Sequence, residues 1–92
     1  MGTFHHDTHE LHGITCVVET RGPRTYVGRV HEVGPAGVLL HDADVFDEVP
    51  GGPTKAEYLA RTAAVGPWPR HKSIVVPAAD VTSVRRLGDL SA

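Results

Sequence analysis

Two groups of side chains have the types and spacing that chemistry needs. His5, His9 and His12 recur at spacings of four and three, which places them on one face of a helix, with His6, Asp7 and Glu10 nearby. Imidazoles at i and i+4 can chelate zinc or nickel, and Glu10 would add a carboxylate. The spacing is permissive, since there is no His-Glu-x-x-His pair and no cysteine beside the histidines. A solvated helix face, or one packed on a second subunit, gives the same pattern. If these imidazoles line an interface, protonation near about pH 6 loosens it.

The second group is Trp68, Arg70, His71 and Lys72, an aromatic-plus-basic cluster stiffened by Pro67 and Pro69. An indole offers a base a stacking platform, and the cations hold phosphates. The competing reading has Trp68 anchoring a helix to the core while the cations point to water. Asp42, Asp44, Asp47 and Glu48 could gather a divalent cation. They lack the glycine-punctuated spacing of a calcium loop and read as a solvated face. Arg85 and Arg86 read as a charged strand edge that discourages stray pairing.

No arrangement for nucleophilic catalysis emerges. Ser73, Ser83 and Ser91 have no elbow context, and Cys16 lies in an apolar run where a small core residue is expected. No glycine-rich run has phosphate-loop spacing. The expectation is a protein that is not an enzyme and needs no cofactor.

The elements that must position these groups follow from periodicity and breakers. Residues 3–12 read as a short helix, with Thr3 as N-cap and Gly13 ending it. Residues 14–20 are rich in β-branched side chains and read as the first strand. Residues 25–33 form the second, with Tyr26, Gly28 and Val30 on one face and Val27, Arg29 and His31 on the other. A glycine between two inward apolar residues marks a bend or a close backbone approach, so Gly28 is assigned as a structural bend. Gly34-Pro35-Ala36-Gly37 turns the chain into a third strand over 38–43, extending toward Phe46. Thr54-Lys55-Ala56-Glu57 is a capping box that opens a helix over 54–65, with a Glu57–Arg61 pair at i,i+4 and Gly66-Pro67 as its stop. Residues 68–72 read as a loop, 73–76 and 81–86 as the fourth and fifth strands, and 87–92 as a tail that frays.

Bulk properties bound the function classes. Ninety-two residues make one small domain with a modest core, which oligomerisation would help to stabilise. A formal charge of −2, with seven histidines counted neutral, gives no global basic field. A single cysteine excludes an intrachain disulfide. No run approaches the ~18 apolar residues of a membrane span. The opening MGTFHHDTHE lacks a basic n-region and an apolar h-region, so no signal peptide and a cytoplasmic location are expected.

Gly22-Pro23-Arg24-Thr25-Tyr26-Val27-Gly28-Arg29-Val30 resembles the Gly-x-x-aromatic-x-Gly-x-apolar strand of the Sm/LSm family, one residue out in the turn. Gly37-Val38-Leu39-Leu40-His41-Asp42-Ala43 is similar to that family's strand ending in Asp-Ala. Ile74-Val75-Val76-Pro77-Ala78-Ala79-Asp80-Val81-Thr82-Ser83-Val84 matches the length and apolar positions of its second motif. The resemblance spans about residues 10–44 and 73–87 and implies a mainly β fold: a strongly bent, five-stranded antiparallel open barrel, Sm-like or SH3-like, over 1–92. It carries an N-terminal helix and a helical insertion between strands three and four. It further implies a homo-oligomeric ring of about five to seven subunits that binds RNA. The family's uridine pocket uses an Asp/Asn-rich first turn and an Arg-Gly second turn. Here those turns are Gly34-Pro35-Ala36-Gly37 and Pro77-Ala78-Ala79-Asp80, so fold and ring carry over better than the pocket. Tyr26-Val27-Gly28-Arg29-Val30 and Val75-Val76-Pro77-Ala78-Ala79-Asp80-Val81 also resemble the PRC-barrel domain, which implies a structural or assembly adaptor for a protein partner. A metal-binding protein built on the N-terminal histidines is the third alternative.

Overall fold

The structure is a computed structural model and describes residues 11–91. It is mainly β. Strands β1 (Thr15–Thr20), β2 (Arg24–Gly34) and β3 (Gly37–Asp47) are followed by helix α1 (Lys55–Val65) and strands β4 (His71–Pro77) and β5 (Val81–Arg86). All five strands form one antiparallel sheet in the order β4-β3-β2-β1-β5. No helix among the described residues is long and apolar enough to cross a membrane. Of the helix expected over 3–12, only Leu11 and His12 lie within the described residues.

The sheet buries side chains on both faces. Cys16 and Val18 of β1, Tyr26 and Val30 of β2, and Leu40 and Ala43 of β3 belong to the larger cluster, with Val76 of β4; Ile74, Val81 and Val84 pack against it. Val17 and Val27 point the other way. They meet Leu87 and, from α1, Tyr58, Leu59 and Ala63. The period-two alternation expected for β2 is thus realised from Tyr26 to Val30, with Val27 under the helix and Tyr26 and Val30 in the main core. Removing side chains of this size from water contributes about 1.5–3 kcal/mol each.

The long β2–β3 pair contains two register irregularities that cancel. From Arg24↔Asp47 to Val27↔Asp44 the strands run in one register. Asp42 and Ala43 then lie opposite the single residue Gly28, and pairing resumes at Arg29↔His41 and Val30↔Leu40. Asp42 sits in the left-handed region at φ 50°, where aspartate is among the better-tolerated residues. On β2, His31 is the extra residue, and Glu32↔Leu39 restores the original register. Directly opposed residues share a face. An unbroken register would set His41 opposite Val30, in the core, and turn Leu40 outward. The paired bulges keep Leu40 fully buried instead.

Gly37 closes the β2–β3 turn at φ 141° and packs on β4, where a Cβ would collide with the Val76 carbonyl oxygen. Ala78 N donates to Ala36 O at 3.1 Å across the same junction. Helix α1 starts with the expected capping box: Glu57 N donates to Thr54 Oγ1 at 3.1 Å, and Thr54 N donates to Glu57 Oε1 at 2.8 Å. Its end is closed by Gly66 N donating to Thr62 O at 2.7 Å.

Several expectations need correction. The third strand runs to Asp47. The fourth begins at His71, so His71 and Lys72 are strand residues and the loop ends at Arg70. The chain after β5 forms a 3-10 turn over Leu87–Ser91 and seats Leu87 in the second core, where free fraying was expected.

Candidate functional site

A cleft of about 260 Å³ opens between α1, β3 and the loop that leads into β4. Its apolar walls are Val45, Phe46, Pro53, Tyr58 and Val65, and Trp68, Arg61 and Arg70 stand on its rim. Helical periodicity supplies one wall: Tyr58, Arg61, Thr62 and Val65 fall at i, i+3, i+4 and i+7 on one stripe of α1. Glu57 turns its carboxylate to the Thr54 amide, and Arg61 lines the cleft. The Tyr58 and Phe46 rings are stacked, with centroids 4.3 Å apart and planes 10° apart.

One buried carboxylate ties the walls together. Asp44 is 6% exposed. Its Oδ2 accepts from Tyr58 Oη at 2.9 Å, and its Oδ1 accepts from Val45 N at 3.0 Å. Arg70 Nε lies 3.5 Å from the same Oδ1. Burial and the Asp44 carboxylate together hold the Tyr58 phenol well above the usual tyrosine range. Strand, helix and loop therefore converge on a single side chain.

The structure divides the basic-aromatic group predicted from the sequence. Trp68 and Arg70 share the cleft, and the indole is 70% exposed, so it does not serve as the anchor for α1. Tyr58, Leu59 and Ala63 do that. His71 and Lys72 continue onto β4, both exposed, with His71 paired to Ala43. Sequence reasoning missed Phe46, Tyr58 and Arg61. The stripe at 58, 61, 62 and 65 is the signal that points to them, but it does not say which strand faces the helix.

The acidic run is individually partnered. Asp42 pairs with Arg29, Asp47 with Arg24, and Glu48 Oε2 accepts from Lys55 N at 3.0 Å. The Arg29 guanidinium holds the Asp42 carboxyl below the usual range, with smaller pulls from His41 and Lys72. Glu19 binds Arg85 and, at 3.1 Å, Lys55 Nζ. Cys16 is fully buried, and burial pushes its thiol up to about 11, which suits packing and not attack.

His5 and His9 lie outside the described residues. The Nδ1 of His12 is 2.7 Å from the His31 carbonyl oxygen. Its ring lies 5.3 Å from that of His31, which stacks on His41 at 4.5 Å and 13°. The bulge at His31 lays this ring beside its neighbour on β3. Among the described residues no group of three or more His, Cys, Asp or Glu is arranged to hold a metal ion.

No protein-family model matches the chain, and no curated protein matches it.

Proposed function

We propose that this chain is a non-enzymatic, ring-forming binding protein of Sm-like architecture that contacts single-stranded RNA at the Trp68–Arg70 cleft. The observation that carries the RNA contact is the exposure of Trp68, 70% open to solvent beside Arg61 and Arg70. Exposed aromatics interleaved with cations are what unpaired strands bind.

Ring formation draws support from the sheet. β4 and β5 are its two edges, yet Ile74 and Val76 from one edge and Val81 and Val84 from the other pack on the same cluster. Packing of both edges on one cluster supports the reading of a sheet bent back on itself. The two edges of the described sheet can pair with those of neighbouring subunits, and a closed ring removes them.

Light scattering with simultaneous ultraviolet absorbance tests both parts. The expected result is a mass several times the 9.9 kDa chain, with added single-stranded RNA co-eluting at moderate salt. A monomer that shifts no RNA overturns the reading.

A second reading, an adaptor for a protein partner, is favoured by one feature. Val75 on edge strand β4 is 52% exposed beside a groove lined by Pro35, Ala36 and Leu39. One stoichiometric protein co-purifying without nucleic-acid absorbance selects it.

A further inference from the structure

We infer that the cleft between α1 and β3 seats one unpaired nucleobase beside Trp68 without reading its identity, while Arg61 and Arg70 hold the adjoining phosphate. This rests on the nucleic-acid reading above and assigns it a pocket, a stoichiometry and a specificity.

The size fits one base. A volume of about 260 Å³ falls below the ~300–1,000 Å³ of pockets that take drug-sized ligands. The walls are suited to a flat ring: the Phe46–Tyr58 stack, Val65 and the open indole. A base inside a duplex cannot reach such a pocket without leaving its stack, so the site selects unpaired strands.

The polar groups at the floor are spent on one another. Asp44 accepts from Tyr58 and from the Val45 amide and faces Arg70. Thr62, on the same stripe of α1, lines the cleft and is itself 4% exposed. Among the described residues no buried side-chain nitrogen or oxygen lacks a partner. Strong discrimination comes from buried polar groups that the wrong ligand leaves unpaired. Because the buried polar atoms of this floor already have partners, no such penalty arises from them, and stacking and charge act without it. Stacking on the base and charge on the phosphate both leave the ribose 2′-hydroxyl unread, so single-stranded DNA should bind as RNA does.

The electrostatics agree. Arg70 meets the Asp44 charge through Nε at 3.5 Å while its side chain stays mostly in solvent, so Arg61 and Arg70 together present one net positive charge to the ligand. Both arginines are exposed, as phosphate contacts must be.

Trp68 is the only tryptophan, so its fluorescence reports this site alone. The experiment titrates oligo-U, oligo-A, oligo-C, oligo-dT and a duplex of equal length. Trp68 emission and the anisotropy of an end-labelled strand are read together across about 50–200 mM salt. Expected are quenching by every single strand with affinities within about threefold, and at least about tenfold weaker binding of duplex. Arg61→Ala should make the log–log salt slope shallower by about 0.7. Strands that bind by anisotropy while Trp68 emission and the Arg61→Ala slope stay unchanged overturn this pocket and leave the RNA reading standing. A preference of about tenfold or more for one base, or for RNA over DNA, overturns the absence of readout. No anisotropy change with any strand overturns both.

Discussion

Ala43 of β3 leaves no room for a side chain on Gly28 of β2: a Cβ built on Gly28 would lie 2.7 Å from the Ala43 Cβ and 2.9 Å from its Cα. This contact is made where β3 spends Asp42 and Ala43 on one residue of β2. The Gly28→Ala substitution should therefore force the strands apart, at a cost of about 1–3 kcal/mol. Adding Ala43→Gly removes one of the two clashing methyl groups and should recover part of the loss. Urea unfolding of the two variants beside the parent checks both statements. Equal stability of Gly28→Ala and the parent would sink the role given to this contact.

The Tyr58–Asp44 bond makes a second prediction. Tyr58→Phe keeps the ring stacked on Phe46 but withdraws a donor from a buried carboxylate, and should cost about 1–3 kcal/mol. In the parent, the Tyr58 phenol should stay protonated in alkali that ionises free tyrosine. Ultraviolet difference titration should then show its phenolate only as the chain unfolds. A full two-tyrosine phenolate signal from the folded protein at about pH 11 contradicts the bond.

Glu19 links β1 to β5 through Arg85 and to the start of α1 through Lys55. The Lys55 hydrogen bond leads in pulling its carboxyl below the ordinary glutamate value, and Arg85 adds to it. A carboxyl lowered in the folded state contributes stability above its unfolded value, and loses it as pH falls through the folded one. Glu19→Gln should thus be less stable than the parent by about 1 kcal/mol at pH 7; the gap should start to close below about pH 4.3, the unfolded glutamate value, and vanish only below the lowered folded value. Denaturation midpoints measured across that range give the answer. A constant gap at all pH values means the glutamate acts through packing alone.

Leu87 follows the last strand, yet it is 7% exposed and packs on Val17 and Val27. Leu87→Ala should cost about 2–5 kcal/mol. Amide exchange should show residues 87–89 protected together with β1. Exchange there as fast as in an unstructured peptide would return this segment to the fraying tail that its sequence suggests.

What the sequence by itself determined is local. The capping box at Thr54 and Glu57, the helix Lys55–Val65, the Gly34–Gly37 turn and the fifth strand Val81–Arg86 follow from nearest-neighbour chemistry, and the structure has them at those residues. The two bulges were also written there, though harder to read. On the face of the larger core, buried positions run Tyr26, Gly28, Val30 and then Val33 on β2, and Val38, Leu40 and then Ala43 on β3. Each series breaks phase once, and a strand that changes phase must insert a residue. Only the tertiary structure decided what those residues meet. That α1 lies over Val17 and Val27, that Asp44 binds Tyr58 and Arg70, and that Trp68 stays in water beside them are long-range outcomes. Propensity and periodicity assign a face to each side chain, but a cleft needs two faces. Which two meet is fixed by how the whole chain buries its apolar surface, a choice no local window contains.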